Sequence, residues 1–276
     1  MASVSRASRS HNSVWLSDRA VARRRPDPAP EEGQDTGRPR GQGGGPGRDQ
    51  AAGLDRDRIV AATVRLLDAE GLTKFSMRRL AAELGVTAMS VYWYVDTKDD
   101  LLELALDQVN GEMVLPDVTD ESADWRDQLR HITAQYRDLL VRHPWVPQLI
   151  GRYINIGPRS LAFSNATLRV MMRSGLAMED RTGALSAVFQ FVYGFATTEG
   201  LFNARCQESG VSIDDYFRDV MSAIETRPEF QETLQASTKA MDARGGRTVQ
   251  EMRDRDFAFA LDMLIAGIEA MRDRAR

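Results

Sequence analysis

The chain has 276 residues, of which 42% are hydrophobic, and a formal net charge of −4. This length holds one large domain or two ordinary ones, and the hydrophobic content excludes a chain that is disordered throughout. The acidic balance argues against a broadly polybasic nucleic-acid binder, and a single cysteine excludes an internal disulfide. Its three histidines lack zinc-site spacing, so we expect no metal site and no cofactor.

The first 53 residues are rich in Arg, Gly and Pro and have almost no apolar periodicity. Such a composition cannot bury enough apolar surface to offset the entropy of ordering, so we expect residues 1–53 to be a disordered extension. The segment contains no apolar run typical of a secretory signal. Its 9 Arg and 6 acidic residues give a net charge of +3, which fits either a cationic arm that contacts DNA phosphates or a dispensable extension.

The first ordered helix is predicted between Asp55 and Glu70. Val60, Val64 and Leu67 recur there at helical spacing, and Gly71 follows as a terminating residue. The pattern predicts that this helix packs behind the elements that come next.

A second helix is predicted to begin after Ser76, a suitable N-cap, and to end at Gly85, which can adopt the left-handed conformation of a tight turn. Thr87 then offers a side-chain oxygen to cap the following helix. The apolar stripe of the second helix consists of Met77, Leu80, Ala81 and Leu84.

The third helix is short, and its inward positions are Ala88, Val91 and Val95. That arrangement leaves Met89, Ser90, Tyr92, Trp93 and Tyr94 on or near the outward surface. Two interpretations are open, because the aromatic residues are either partly buried core residues or a binding surface. Cations nearby favour a surface that enters a DNA groove, since arginine and lysine hold phosphates while outward side chains reach base edges. These cations are Lys74, Arg78, Arg79 and Lys98.

Four short motifs occur here in a fixed order: Arg-x-Leu-Ala from Arg78, Leu-Gly-Val from Leu84, Val-Tyr-Trp-Tyr-Val from Val91, and Lys-x-x-Leu-Leu from Lys98. Together they resemble the DNA-binding segment of TetR-type repressors over residues 55–110. The resemblance implies a homodimer that binds a near-palindromic double-stranded operator. It also implies DNA contacts by Ser76, Met77, Arg78, Ala88, Met89, Ser90, Tyr92, Trp93, Tyr94 and Lys98.

The next helix, from Lys98 to about Met113, is opened by Thr97 and Asp100 as a capping box. It is apolar on more than one side, which predicts that it joins the DNA-binding domain, residues 54–113, to a larger domain. The alternative is an ordinary core helix. Pro116 and the acidic residues 117–124 follow as a linker.

Residues 120–276 show helical spacing in most segments, with an irregular stretch at 145–157 and breaks between 205 and 247, and no strand pattern. We therefore expect an all-α fold with a helix-turn-helix domain and a larger helical bundle. The segment 183–202 is long enough for a membrane span, but its polar side chains favour a helix buried in its own domain and a partner subunit. The helix 254–271 resembles the terminal helix of TetR-type ligand-binding domains. The resemblance implies that these two helices form the dimer interface.

The second domain is predicted to bind a small hydrophobic effector. Aromatic and Met side chains at helical spacing are more often plain core than pocket lining, and the resemblance implies a pocket without identifying its lining. The candidate lining residues are Tyr136, Phe163, Met172, Phe189, Gln190 and Tyr193.

Catalytic motifs are lacking, because Asp96 to Asp100 and Asp214-Asp215 are explained as helix-start acids and no phosphate loop or nucleophile elbow is present. We therefore expect no enzyme and no catalytic residue. The predicted function is a cytoplasmic, ligand-responsive transcriptional regulator, most simply a repressor. The alternative is a helical dimeric scaffold protein with an idle helix-turn-helix.

Overall fold

The computed structural model describes residues 13–16, 54–230 and 245–274. Within these ranges the secondary structure is helical and no strand occurs, so the predicted all-α class is confirmed. Short 3-10 turns form at Val14–Leu16, Val146–Gln148 and Pro228–Phe230. The α-helices are α1 (Arg56–Lys74), α2 (Met77–Leu84), α3 (Ala88–Tyr92), α4 (Lys98–Asn110), α5 (Trp125–Arg142), α6 (Pro158–Met172), α7 (Met178–Ser209), α8 (Ile213–Glu225) and α9 (Val249–Arg274).

These helices fall into two compact units. The first comprises the described residues up to Glu112 together with Gln148–Ala162, and the second comprises Met113–Pro147 and Phe163–Arg276. The sequence placed all of 120–276 in one domain, whereas residues 148–162 cluster with the first unit.

The first unit is built on the packing of α1 against α4, with α2 packed against α1 and α3 against α2. Its α1 is interrupted at Gly71, whose φ of 77° is non-helical, where the sequence predicted the end of the helix. The capping box predicted at the start of α4 is present, with Thr97 and Asp100 each accepting from the other's backbone N–H. Apolar side chains on more than one side of α4 are buried, namely Leu101, Leu102, Leu104, Ala105, Leu106 and Val109.

Residues 13–16 do not follow the expectation of disorder for the N-terminal extension. They form a 3-10 turn in which Val14 is buried, and the turn contacts α4. A single buried side chain leaves no periodic signal, so the composition of the surrounding segment concealed it. The rest of the expectation for residues 1–53 lies outside the described residues.

The second unit has α5 and α7 packed along each other, with α8 and α9 beside them. The crossing of α5 and α7 is close at Gly200, where a Cβ atom would lie 3.2 Å from the Leu140 carbonyl oxygen. The apolar segment 183–202 forms the middle of the continuous helix α7. None of the described helices is long and apolar enough to span a membrane.

Candidate functional site

The short helix α3 is held by local caps rather than by its length. The Ser76 hydroxyl accepts from the Arg79 backbone N–H at 3.2 Å, Gly85 ends α2 with a left-handed φ of 68°, and the Thr87 hydroxyl accepts from the Ser90 N–H at 3.2 Å. Each of these caps was predicted from the sequence and is confirmed. Because Val91 is completely buried, α3 is fixed to the unit by its inner side.

The outer side of α3 presents large apolar and aromatic side chains to solvent. Met89 is 69% and Trp93 is 74% exposed, and Tyr92 is also exposed. Exposed apolar side chains in a contiguous patch mark binding surfaces. Ser90 and Tyr94 are partly exposed beside them, and the Ser90 hydroxyl lies 2.9 Å from that of Thr87.

The cations around α3 differ in how they are held. Arg78 is exposed and has no ion pair with any described residue. Arg79 pairs instead with Glu70 at 2.7 Å and Glu83 at 3.3 Å, so it joins α1 to α2. Lys98 donates to the Phe75 carbonyl at 2.9 Å and lies over the Phe75 ring. Arg79 and Lys98 are thus engaged within the unit, whereas Arg78 and the likewise exposed Lys74 are available to an external ligand.

One predicted DNA contact requires correction. Met77 is only 8% exposed and lies in the core of the first unit, because it is the first member of the apolar stripe of α2. A buried side chain cannot reach a base edge. The other nine predicted residues are exposed or partly exposed, so their DNA contacts stay predictions.

An aromatic triangle lies inside the second unit. The ring centroids of Tyr136, Phe163 and Phe189 are separated by 5.4 to 5.5 Å, within the range of favourable aromatic pairs. Burial raises the pKa of Tyr136, so its phenol is neutral at physiological pH, and no described residue forms a hydrogen bond with its hydroxyl. The Tyr193 hydroxyl donates to the Pro147 carbonyl at 3.1 Å.

Three of the six predicted lining residues lie outside this triangle, namely Tyr193, Met172 and Gln190. Met172 is 58% exposed, and Gln190 is also exposed. Met172 follows the buried Val170 and Met171 at the end of α6, and Gln190 lies about 100° around the helix from Phe189. Both face solvent in the described chain, so we correct the expectation that they line an interior pocket with the aromatic residues.

Sequence reasoning missed a buried ion network in the second unit. The Arg137 guanidinium donates to both carboxylate oxygens of Glu199, at 2.8 and 3.0 Å, and pairs with Asp254 at 2.7 Å. It also lies over the rings of Phe195 and Phe257. The polarity of Glu199 within an apolar helix was the available signal, but nothing local identified its partner on α5. The network therefore ties α5, α7 and α9 together.

Family models match both parts of the chain. The model for bacterial regulatory proteins, tetR family, matches residues 59–105, and the model for the tetracyclin repressor-like C-terminal domain matches residues 116–272. The solved TetR family protein ActR from Streptomyces coelicolor, in complex with actinorhodin, shares 25% identity and a TM-score of 0.61, covering 79% of this chain and 97% of that one.

Curated relatives agree with the family models. An HTH-type transcriptional regulator of Saccharopolyspora erythraea is 39% identical over 149 residues, which are 54% of this chain and 62% of that protein. The match therefore spans less than two thirds of that relative's length. The HTH-type transcriptional repressor DrrR1 of Streptomyces coeruleorubidus is 32% identical over 192 residues, 69% of this chain and 68% of that protein. The chain thus belongs to the TetR family of bacterial transcriptional regulators.

Proposed function

We propose that this protein acts in the cytoplasm as a homodimeric regulator, a repressor in its simplest form, that binds operator DNA and is released by a small apolar effector. The observation that carries the proposal is the exposed outer side of α3, where Met89, Tyr92 and Trp93 project from a helix fixed by caps at its start and by Val91 beneath. Relatives named as transcriptional regulators and repressors support it.

The contacts with DNA divide by chemistry. Arg78 is suited to a guanine edge or a phosphate, Ser90 to a base edge, and Tyr92 to a phosphate. Ala88 and Met89 are too apolar for bidentate hydrogen bonding, so they would act by thymine methyl contact and exclusion. Lys98 has three N–H donors, and one of them binds the Phe75 carbonyl, so the others remain for a phosphate.

The homodimer would form through residues 183–202 of α7 and 254–271 of α9. Between these helices lies an open apolar groove of about 370 Å³, lined among others by Leu176, Val188 and Ile268. Met263 and Met271 of the groove lining are exposed, and Leu201 and Phe259 are further exposed apolar side chains on the two helices. A contiguous apolar face of this kind fits a self-complementary interface. Two α3 helices would then enter successive major grooves about 34–36 Å apart.

The effector would bind at the aromatic triangle of Tyr136, Phe163 and Phe189. Apolar pockets with few polar groups are typical of small-molecule sites, and the Tyr136 hydroxyl is available for one hydrogen bond. The ActR complex with actinorhodin supports effector binding by a related protein. Effector binding would shift α4 and change the separation of the α3 helices, with a coupling of about 1–3 kcal/mol.

The experiment for DNA binding is a salt-dependent titration of the protein against its own upstream DNA, with random duplex as competitor. Wild type should bind at about 10⁻⁸–10⁻¹¹ M and resist the competitor. Trp93→Ala should lose this affinity. Ile154→Ala, which removes an equally exposed apolar side chain from the first unit, should keep it. Binding that random DNA matches would instead favour the scaffold alternative.

The effector step is tested separately on the protein–DNA complex. Hydrophobic compounds at saturating concentration are screened for release of the operator, and a compound that releases it is tested again with Phe189→Ala. Release by wild type but not by the variant supports the proposed site. A screen in which no compound alters operator affinity would contradict ligand gating while leaving DNA binding intact.

A further inference from the structure

Helix α4 carries a row of three acids on one side. Asp99, Glu103 and Asp107 are spaced at i, i+4 and i+8, so they lie one above the next. The outer two bind segments from beyond the helix-turn-helix. Asp99 accepts from the Tyr153 hydroxyl at 2.8 Å. The buried Asp107 accepts from the backbone N–H groups of Arg159 and Ser160, at 3.0 and 2.9 Å.

The middle acid, Glu103, binds the N-terminal turn. Its carboxylate accepts from the Ser13 hydroxyl and from the Val14 backbone N–H. The turn itself is closed by the Leu16 N–H, which donates to the Ser13 carbonyl at 3.0 Å. Glu103 therefore satisfies N–H and O–H donors at the start of the turn, as a capping side chain does at the start of a helix.

Apolar contact accompanies these hydrogen bonds. Val14 is 8% exposed, whereas Leu16, two residues later, is 69% exposed. The turn thus has a bound side and a free side. Residues 13–16 are therefore held both by hydrogen bonds to Glu103 and by the burial of Val14. A segment that only lies near α4 would not need both.

We propose that residues 13–16 are a docking segment whose receptor is Glu103 on α4, and that docking fixes α4 in place for operator binding. Glu103 is five residues from Lys98, about 7.5 Å along the helix axis, so the segment binds close to the end of α4 that carries the proposed phosphate contact. A helix that is ordered in advance loses less conformational entropy when DNA binds. With residues 13–16 bound at Glu103, each of the three acids in the row has a partner.

The first test needs no DNA. Hydrogen exchange is measured for the amides of residues 98–110 in full-length wild type and in the Ser13→Ala/Val14→Ser variant. The proposal expects faster exchange in the double variant. Leu16→Ser is the matched control, because it makes the same kind of change on the free side of the turn, and it should leave exchange unchanged. Equal exchange in all three proteins would overturn the proposal.

A second test uses a synthetic peptide of residues 9–20 added to the full-length double variant. The peptide should restore slow exchange in α4, and a peptide carrying the double substitution should not. When Glu103→Ala is added to the double variant, the receptor is lost, so the wild-type peptide should no longer restore slow exchange in α4. Restoration by both peptides, or by neither, would contradict specific docking at Glu103.

Operator affinity is the last readout, and only this one rests on the proposed function. The double variant should bind the operator about 3- to 10-fold more weakly, the effect of losing one or two hydrogen bonds, while Leu16→Ser matches wild type. Unchanged affinity despite faster exchange would overturn the link between docking and DNA binding. If wild type itself fails to bind DNA, the proposed function fails, and the exchange measurements still decide the docking.

Discussion

Aromatic side chains occupy opposite environments in the two units. At the end of α3 in the first unit, Tyr92 and the C-cap residue Trp93 are exposed, whereas Tyr136, Phe163 and Phe189 of the second unit pack against one another. The difference arises because α3 has a single buried anchor, Val91, and its outer side stays exposed among the described residues, while the aromatic residues of the second unit come from three helices that meet. Aromatic composition alone therefore cannot distinguish an exposed binding surface from a packed interior.

Charged groups show the same contrast between a buried and an exposed environment, and a large effect on stability is expected from the buried one. Glu199→Ala should lower the free energy of unfolding by about 3 kcal/mol, since it removes the bidentate partner of the buried Arg137 and leaves only Asp254. Denaturant unfolding at a fixed protein concentration measures it. Glu83→Ala, which removes an exposed partner of Arg79, should cost about 0–1 kcal/mol. Equal losses of unfolding free energy in the two variants would mean that the Arg137–Glu199 pair contributes no more to stability than an exposed ion pair.

Within the first unit, one substitution should lower mainly stability and another should lower mainly DNA affinity. Leu80→Ala removes a completely buried side chain and should cost about 2–5 kcal/mol of unfolding free energy. Trp93→Ala should change stability by less than about 0.5 kcal/mol because its side chain is exposed, yet it should weaken operator binding. Paired unfolding curves and DNA titrations measure both quantities. A large stability loss in Trp93→Ala would show that the Trp93 side chain contributes to packing and is not a freely exposed surface group.

The features that sequence predicted well are local ones. The caps by Ser76, Thr87 and Thr97 and the breaks at Gly71 and Gly85 depend on neighbours within a few residues, so propensity and spacing suffice. Features that join distant segments were missed or only partly found. The partner of Glu199 lies 62 residues away at Arg137, and the docking of Val14 brings together segments about 90 residues apart. Periodicity cannot determine which helix faces meet, which explains why Met172 and Gln190 were placed in the pocket.

A smaller effect is expected when only the polar group of the aromatic triangle is removed. Tyr136→Phe should leave the free energy of unfolding within about 0.5 kcal/mol of wild type, because no described residue bonds to the hydroxyl and the ring remains. If the hydroxyl contacts the effector, the same variant should need more effector to release the operator. Unfolding curves and effector titrations separate the two roles. A clear stability loss would show that the hydroxyl has a structural partner.

The smallest expected effects concern how the unfolding free energy depends on pH. Acids of the two units should contribute to this dependence with opposite signs. Hydrogen bonds from Thr119 and Ser122 lower the pKa values of Asp117 and Asp120 below 3.8, so their stabilisation is present above that pH and is lost as pH falls through the lowered values. Burial raises the pKa of Asp100 above 3.8, so the folded state gains relative stability as that group is protonated.

Unfolding free energies measured between about pH 3 and 6 test this difference. The deficit of Asp117→Asn/Asp120→Asn relative to wild type should be constant at the upper end and shrink toward pH 3, because wild type loses its advantage there. Asp100→Asn should show the opposite slope, its stability relative to wild type falling as pH is lowered, since wild type gains from protonation. Parallel slopes for the two variants would mean that burial does not dominate the titration of Asp100. Helix α4 would then begin in a more solvated environment than its packing against α1 indicates.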